Sequence, residues 1–148
     1  MRKLILLTTV ILFTLAAKSQ ILKPVTWSYA AKRTSKTEGV IFIKATIESG
    51  WHIYSQNIKE GGPVKTTFIF PAAKDYTLNG KTIEPKAVHR FEDTFKMDVS
   101  FFEGSVIFQQ KITLKGSKAL VKGTVEFMTC NDRQCLPPEQ VEFSVLVK

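Results

Sequence analysis

The chain carries 21 Lys and Arg against 13 Asp and Glu over 148 residues, a formal charge of +8, and holds two cysteines. That length suits one domain with little left over, and two cysteines are too few to act as a disulfide framework in place of a core. The basic residues, Lys44, Lys65, Lys96, Lys111 and Lys122 among them, are spread along strand-like segments with no run of three, which argues against the clustered basic face of a nucleic-acid binder.

The chain begins with a targeting pattern. In MRKLILLTTVILFTLAAKSQ, Arg2 and Lys3 precede an apolar run from Leu4 to Ala17, and the small residues Ala17 and Ser19 are spaced for cleavage before Gln20. This is the layout of a secretory signal peptide over residues 1–19, its apolar stretch too short for a bilayer span. No cysteine lies near the cleavage point, so a lipid-modified N-terminus is not expected. Cleavage leaves one domain, residues 20–148, with 18 basic and 13 acidic residues. It is expected to be soluble and periplasmic or otherwise exported, in a compartment where a cysteine pair persists as a disulfide.

The remaining pattern is that of strands. After TWSYAAK comes VIFIKATIES, where Ile41, Ile43, Ala45 and Ile47 share one face and Lys44, Thr46 and Glu48 the other. WHIYSQ, VKTTFIF and FKMDVSFF are shorter candidates. SVIFQQKITLK sets Val106, Phe108, Ile112 and Leu114 on one face, broken only by Gln110. LVKGTVEFMT alternates Val121, Val125 and Phe127 with Lys122, Thr124 and Glu126, and QVEFSVLVK places Val141, Phe143, Val145 and Val147 together. Breakers at Gly61-Gly62-Pro63, Asn79-Gly80, Gly104 and Gly116-Ser117 separate these runs. Period-two alternation with one wet face, and no long amphipathic helix, predicts an all-β protein of seven to nine strands. An immunoglobulin-like antiparallel β-sandwich fits best, with a barrel as the other architecture. His52 and His89 fall within strand-like segments, where a solvent-facing or hydrogen-bonded histidine is the ordinary case, and no nucleophile–base pairing suggests itself.

The chemistry concentrates in EFMTCNDRQCLPPEQVEF, where Cys130 and Cys135 have four residues between them and precede Leu136-Pro137-Pro138. With His52 and His89 far off in sequence, the spacing matches no zinc pattern, and no metal is expected. As a staple, a loop of about six residues is worth roughly 2 kcal/mol, against about 4.7 for a hundred-residue loop. The flanking TVEFMT and QVEFSV read as consecutive strands with the pair near the hairpin tip. Continued alternation puts Cys130 on the face of Glu126 and Met128, opposite Val125 and Phe127, hence an accessible position. Reversible exchange needs one reachable thiolate and a second thiol close by. Arg133 in the loop favours a thiolate and Asp132 opposes it. Pro137 and Pro138 offer no N–H and hold Leu136 extended, leaving a stiff, uncovered backbone for a partner to dock on. On chemistry alone, a redox pair and a passive clip both remain open.

Two stretches, GWHIYSQNIKEGGPVKTTFIFP and CNDRQCLPPE, resemble the N-terminal periplasmic domain of the DsbD family of thiol-disulfide interchange proteins. The resemblance spans about Trp27 to Val147, and its most specific part is the paired cysteines followed by Leu-Pro-Pro-Glu. It implies an immunoglobulin-like fold and a protein-disulfide-reductase type of thiol-disulfide oxidoreductase with no cofactor. It also implies thioredoxin-like proteins or domains as partners, engaged through transient mixed disulfides. By the resemblance Cys135 forms the mixed disulfide and Cys130 resolves it. A cap loop matching VHRFEDTFKMD would shield the sulfurs with Phe91 or Phe95, and Trp51 and Tyr54 match aromatic positions near the family's active site. Well-known members have five residues between the cysteines rather than four. No membrane-spanning or thioredoxin-like segment occurs within these 148 residues, so the electron donor is expected to be a separate membrane protein. The competing expectation is a non-enzymatic binding or assembly module whose disulfide stiffens a hairpin.

Overall fold

The computed structural model describes residues 22–148, so the expected signal peptide lies outside the described residues. Among the described residues eleven strands run β1 (Val25–Arg33), β2 (Glu38–Ile47), β3 (His52–Tyr54), β4 (Thr67–Ile69), β5 (Tyr76–Leu78), β6 (Val88–Glu92), β7 (Met97–Glu103), β8 (Ser105–Leu114), β9 (Ala119–Phe127), β10 (Thr129–Cys130) and β11 (Glu139–Val147). They form three antiparallel sheets in the orders β1-β2-β8-β5, β10-β3-β7-β6 and β11-β9-β4. The architecture is the immunoglobulin-like β-sandwich read from the sequence.

The long strands form where the alternation is cleanest. Ile41, Ile43 and Ala45 of β2 and Phe108 of β8 are fully buried, and β2 and β8 pair from Glu38↔Thr113 to Thr46↔Ser105. β9 pairs with β11 from Phe127↔Glu139 to Ala119↔Val147, burying Val121, Val125, Phe143 and Val147. Aromatic side chains join the layers: Trp27 lies 5.2 Å from Phe127, Phe68 lies 4.9 Å from Phe108, and Tyr29 stacks on Phe143 at 4.8 Å between centroids. Close approach of strand and ring requires Gly123, where an added Cβ would sit 2.5 Å from Phe143 Cζ. Gly104, at φ 64°, makes the reversal from β7 to β8 in a conformation that L side chains rarely adopt.

Gln110, the polar break in β8, is buried. Its amide donates to the carbonyls of Gly80 and Lys111 and its oxygen accepts from the Thr82 hydroxyl at 2.8 Å, so burial leaves no unpaired polar group on this side chain.

Three strands escaped the pattern. β5 has three residues and β10 two, and β6 lies at a sheet edge with Val88, His89, Arg90 and Phe91 all exposed, so neither length nor alternation marks them. β3 is different again, because all three of its residues are buried. Ile53 enters the main core with Phe102 of β7, while Tyr54 joins Val99, Phe101 and Cys130 in a second, smaller cluster. The β10-β3-β7-β6 sheet therefore has a core on each face, and the smaller one contains the cysteines.

Candidate active site around the Cys130–Cys135 disulfide

Strand β9 ends at Phe127 and the chain passes to the edge of another sheet as β10, where Thr129 pairs with Ile53 and Cys130 with His52. The Thr129 hydroxyl fixes this register by donating to the His52 carbonyl at 2.9 Å. The loop that follows closes on itself. Asn131 N–H donates to the Gln134 carbonyl, Asn131 Oδ1 accepts from the backbone N–H of Arg133 and Gln134, and Leu136 N–H reaches the Thr129 carbonyl, each at 2.9 Å. This is the Asx turn that an asparagine at the first loop position favours. It brings Cys130 and Cys135 into a disulfide with their Cα atoms 4.0 Å apart.

The two sulfurs differ in environment. Cys130 is 0 % exposed, whereas Cys135 is half-buried and leads into the exposed Pro137 and Pro138. The expectation of an accessible Cys130 is thus corrected. The sheet switch after Phe127 interrupts the alternation, and the side carrying Met128 and Cys130 is covered by Tyr54, Val99 and Phe101 rather than by water.

The segment expected as a cap loop is a hairpin. β6 and β7 pair from Val88↔Phe101 to Glu92↔Met97, and the turn between them uses Lys96 at φ 53° and a Phe95 N–H to Glu92 carbonyl bond of 3.3 Å. Phe95 packs into the cysteine cluster and meets the Tyr54 ring edge-on at 6.2 Å. Phe91 projects away, 55 % exposed. Tyr54 and Phe95 are therefore brought together with both cysteines, while Phe91 is not, and Trp51 is buried in the main core.

Sequence reasoning missed a polar chain beside Cys130. Tyr54 donates its hydroxyl hydrogen to the carboxylate of Glu92, lying 3.0 Å from both oxygens, and the same hydroxyl lies 3.2 Å from His52 Nε2. His52 Nε2 and Glu92 Oε1 are 3.9 Å apart, with the His52 side chain 2 % and that of Glu92 12 % exposed. Burial lowers the His52 pKa to about 4, assisted by the positive charge of Arg90 and opposed by Asp132. Arg90 sits with its guanidinium 4.5 Å above the Phe101 ring. Burial, then the Glu92 charge, raises the Tyr54 phenol well above its ordinary value. The available signal was the His-x-Tyr spacing, which puts both rings on one strand face. Glu92 gave none, because it arrives from the hairpin. His89, by contrast, is exposed with Nδ1 2.9 Å from the Ser100 hydroxyl. Among the described residues no group of three or more His, Cys, Asp or Glu could hold a metal ion, and no helix is long and apolar enough to cross a membrane.

Residues 18–147 match the family model described as "Thiol:disulfide interchange protein DsbD, N-terminal". The chain belongs to the DsbD N-terminal family. Similar solved structures share its fold at low identity. The reduced Neisseria meningitidis DsbD N-terminal domain is 15 % identical with a TM-score of 0.56, covering 84 % of this chain and 88 % of its own. A Neisseria meningitidis complex between the DsbD and PilB N-terminal domains gives 14 % identity and 0.56, covering 85 % and 88 %. The N-terminal periplasmic domain of ScsB from Proteus mirabilis gives 15 % and 0.55, covering 87 % of this chain and about half, 49 %, of that one. No curated protein matches the chain. As a DsbD N-terminal family member it belongs to a thiol:disulfide interchange family, and Cys130–Cys135 is its disulfide.

Proposed function

We propose that this chain passes electrons between protein dithiols and disulfides in the periplasm through reversible opening of the Cys130–Cys135 bond. The observation that carries this reading is the asymmetry of the pair: one sulfur enclosed, the other half-exposed beside two prolines, with Phe95 packed on the same cluster. In the oxidising direction, a Cys135 thiolate attacks a sulfur of the partner's disulfide, forming a mixed disulfide and releasing one partner thiolate. Cys130 then attacks Cys135 Sγ, the bond to the partner breaks, and the partner leaves with both cysteines reduced. Electron supply runs the same steps in reverse, from a membrane donor by way of a thioredoxin-like domain. Thioredoxin-like proteins are the proposed partners. That a DsbD N-terminal domain forms a complex with a PilB N-terminal domain, and that the ScsB counterpart is periplasmic, supports partner and place.

The passive-clip reading is weakened by the loop itself. Asn131 and Leu136 already tie the turn with four hydrogen bonds, so the disulfide is not needed to shape it. Trapping tests the proposal. Cys130→Ala should accumulate a mixed disulfide between Cys135 and a thioredoxin-like partner. Accumulation in Cys135→Ala instead would reverse the roles. A reduction potential well below about −300 mV, where inert structural bridges lie, would overturn the redox reading itself.

A further inference from the structure

Resolution of the mixed disulfide poses a proton problem. Thiol–disulfide exchange is in-line, so the attacking and departing sulfurs lie on opposite sides of Cys135 Sγ. The hydrogen on Cys130 therefore cannot pass directly to the sulfur that leaves. Bulk water cannot take it either, since Cys130 is 0 % exposed even before a partner covers the hairpin. A base inside the cluster is required.

His52 is the residue directly opposite Cys130 in the β3–β10 register, which sets their Cβ atoms about 4.5–5.5 Å apart. Phe101 lies 5.1 Å from the His52 ring and belongs to the cluster that encloses Cys130, so the two side chains share one compartment. Its tautomer follows from the hydrogen bonds. Tyr54 gives its hydroxyl hydrogen to Glu92, so His52 Nε2 must donate to the Tyr54 oxygen, and Nδ1 keeps a lone pair. We infer that His52 accepts the Cys130 proton as that sulfur attacks Cys135, and that the Tyr54–Glu92 chain carries a proton on to the protein surface. This role rests on the exchange reading above.

The step balances. Cys130 S–H loses its proton to Nδ1, the Cys130–Cys135 bond forms, and the Cys135–partner bond breaks with its electron pair leaving on the partner sulfur. Nε2 gives its hydrogen to Tyr54, Tyr54 gives its own to Glu92, and the 12 % exposed carboxylate passes it to solvent, where the partner thiolate is protonated. Reduction of the Cys130–Cys135 disulfide runs the chain inward, supplying the proton that a buried Cys130 thiolate needs and restoring the ring tautomer. Each round trip resets the relay. The charged groups facing His52 are Glu92 and Arg90 from β6, Glu103 opposite it on β7, and Asp132 in the cysteine loop. Their net effect with burial keeps the ring neutral at neutral pH, so its lone pair is available.

Stopped-flow oxidation of the reduced full-length protein by dithiodipyridine resolves the step. Attack by Cys135 releases the first thiopyridone, and attack by Cys130 on the resulting mixed disulfide releases the second. In the native protein the second rate should be level from about pH 5 to 8, the range in which a neutral acceptor is present. In His52→Phe the second rate should fall roughly 10²-fold near pH 6, with the first rate unchanged, and the second rate should then rise about tenfold per pH unit, as hydroxide replaces the lost base. Should His52→Phe not fold, Tyr54→Phe breaks the same relay and should show the same new pH slope. An unchanged second rate and pH profile in either folded variant, or a native second rate proportional to hydroxide throughout, would overturn the role of His52. Release of only one thiopyridone by the native protein would overturn the exchange reading as well.

Discussion

A histidine that is 2 % exposed must find its neutral state cheaper than its charged one, and the surroundings of His52 make this so on both sides. Burial removes the hydration an imidazolium needs, and Arg90 adds a like charge, bringing the pKa from 6.5 to about 4. The consequence for stability has a definite sign. Between pH 6.5 and 4 the unfolded chain binds a proton at His52 that the folded chain refuses, so stability falls as pH drops through that window and levels off below it. At about 1.4 kcal/mol per unit of pKa the total is roughly 3 kcal/mol. Urea unfolding of the oxidised protein at several pH values should show this loss, and the stability difference between the native protein and His52→Gln should shrink toward low pH. A difference constant across the window would mean that His52 is protonated in the folded protein.

At the scale of elements, we propose that the β6–β7 hairpin controls access to the sulfurs through one ring. Phe95 packs on the cysteine cluster and Phe91 faces solvent. Phe95→Ala should speed the reaction of oxidised protein with dithiothreitol several-fold and cost about 1–2 kcal/mol, less than a fully buried phenylalanine would. Phe91→Ala should leave the reaction rate unchanged and alter stability by less than about 0.5 kcal/mol. Equal rates for the two variants would remove Phe95 from its shielding role. Sequence alone could not choose between these rings. Both sit in a segment without alternation, and the choice depends on where the turn falls, which Lys96 in a left-handed conformation decides. The long strands were legible because one face of each is wet: Ile41, Ile43 and Ala45 announce β2 directly. Cys130 was misplaced for the converse reason. Extending the β9 pattern past Phe127 assumes a single sheet, whereas the chain changes sheets there and meets a second apolar cluster. The partnership of His52, Tyr54 and Glu92 spans two strands 38 residues apart, beyond the reach of any local pattern.

On the proposed function, the molecule as a whole separates stability from chemistry by giving one sheet two cores. Ile53 and Phe102 belong to the large core, and Tyr54, Phe101 and Cys130 to the small one. The fold therefore rests on β2, β8, β9 and β11, and the disulfide closes only a short loop outside them. Gly123→Ala tests the first half of this division. Its Cβ would strike Phe143 in the large core, so it should destabilise the protein by about 1–3 kcal/mol while leaving the ratio of the two thiopyridone release rates unchanged.

Reduction tests the second half. A loop of about six residues restrains the unfolded chain by roughly 2 kcal/mol, which for a domain of this size corresponds to a fall in Tm of roughly 5–10 °C on reduction. The reduced protein should keep its β-sheet circular dichroism and melt cooperatively at the lower temperature. The physical reason is that Thr129, Asn131 and Leu136 hold the hairpin register through hydrogen bonds that do not involve sulfur. Such a protein can open and close its disulfide without refolding, as exchange with a partner demands. Loss of sheet signal at moderate temperature on reduction would instead make the disulfide a structural clip, and electron transfer through it would then require unfolding at every turnover.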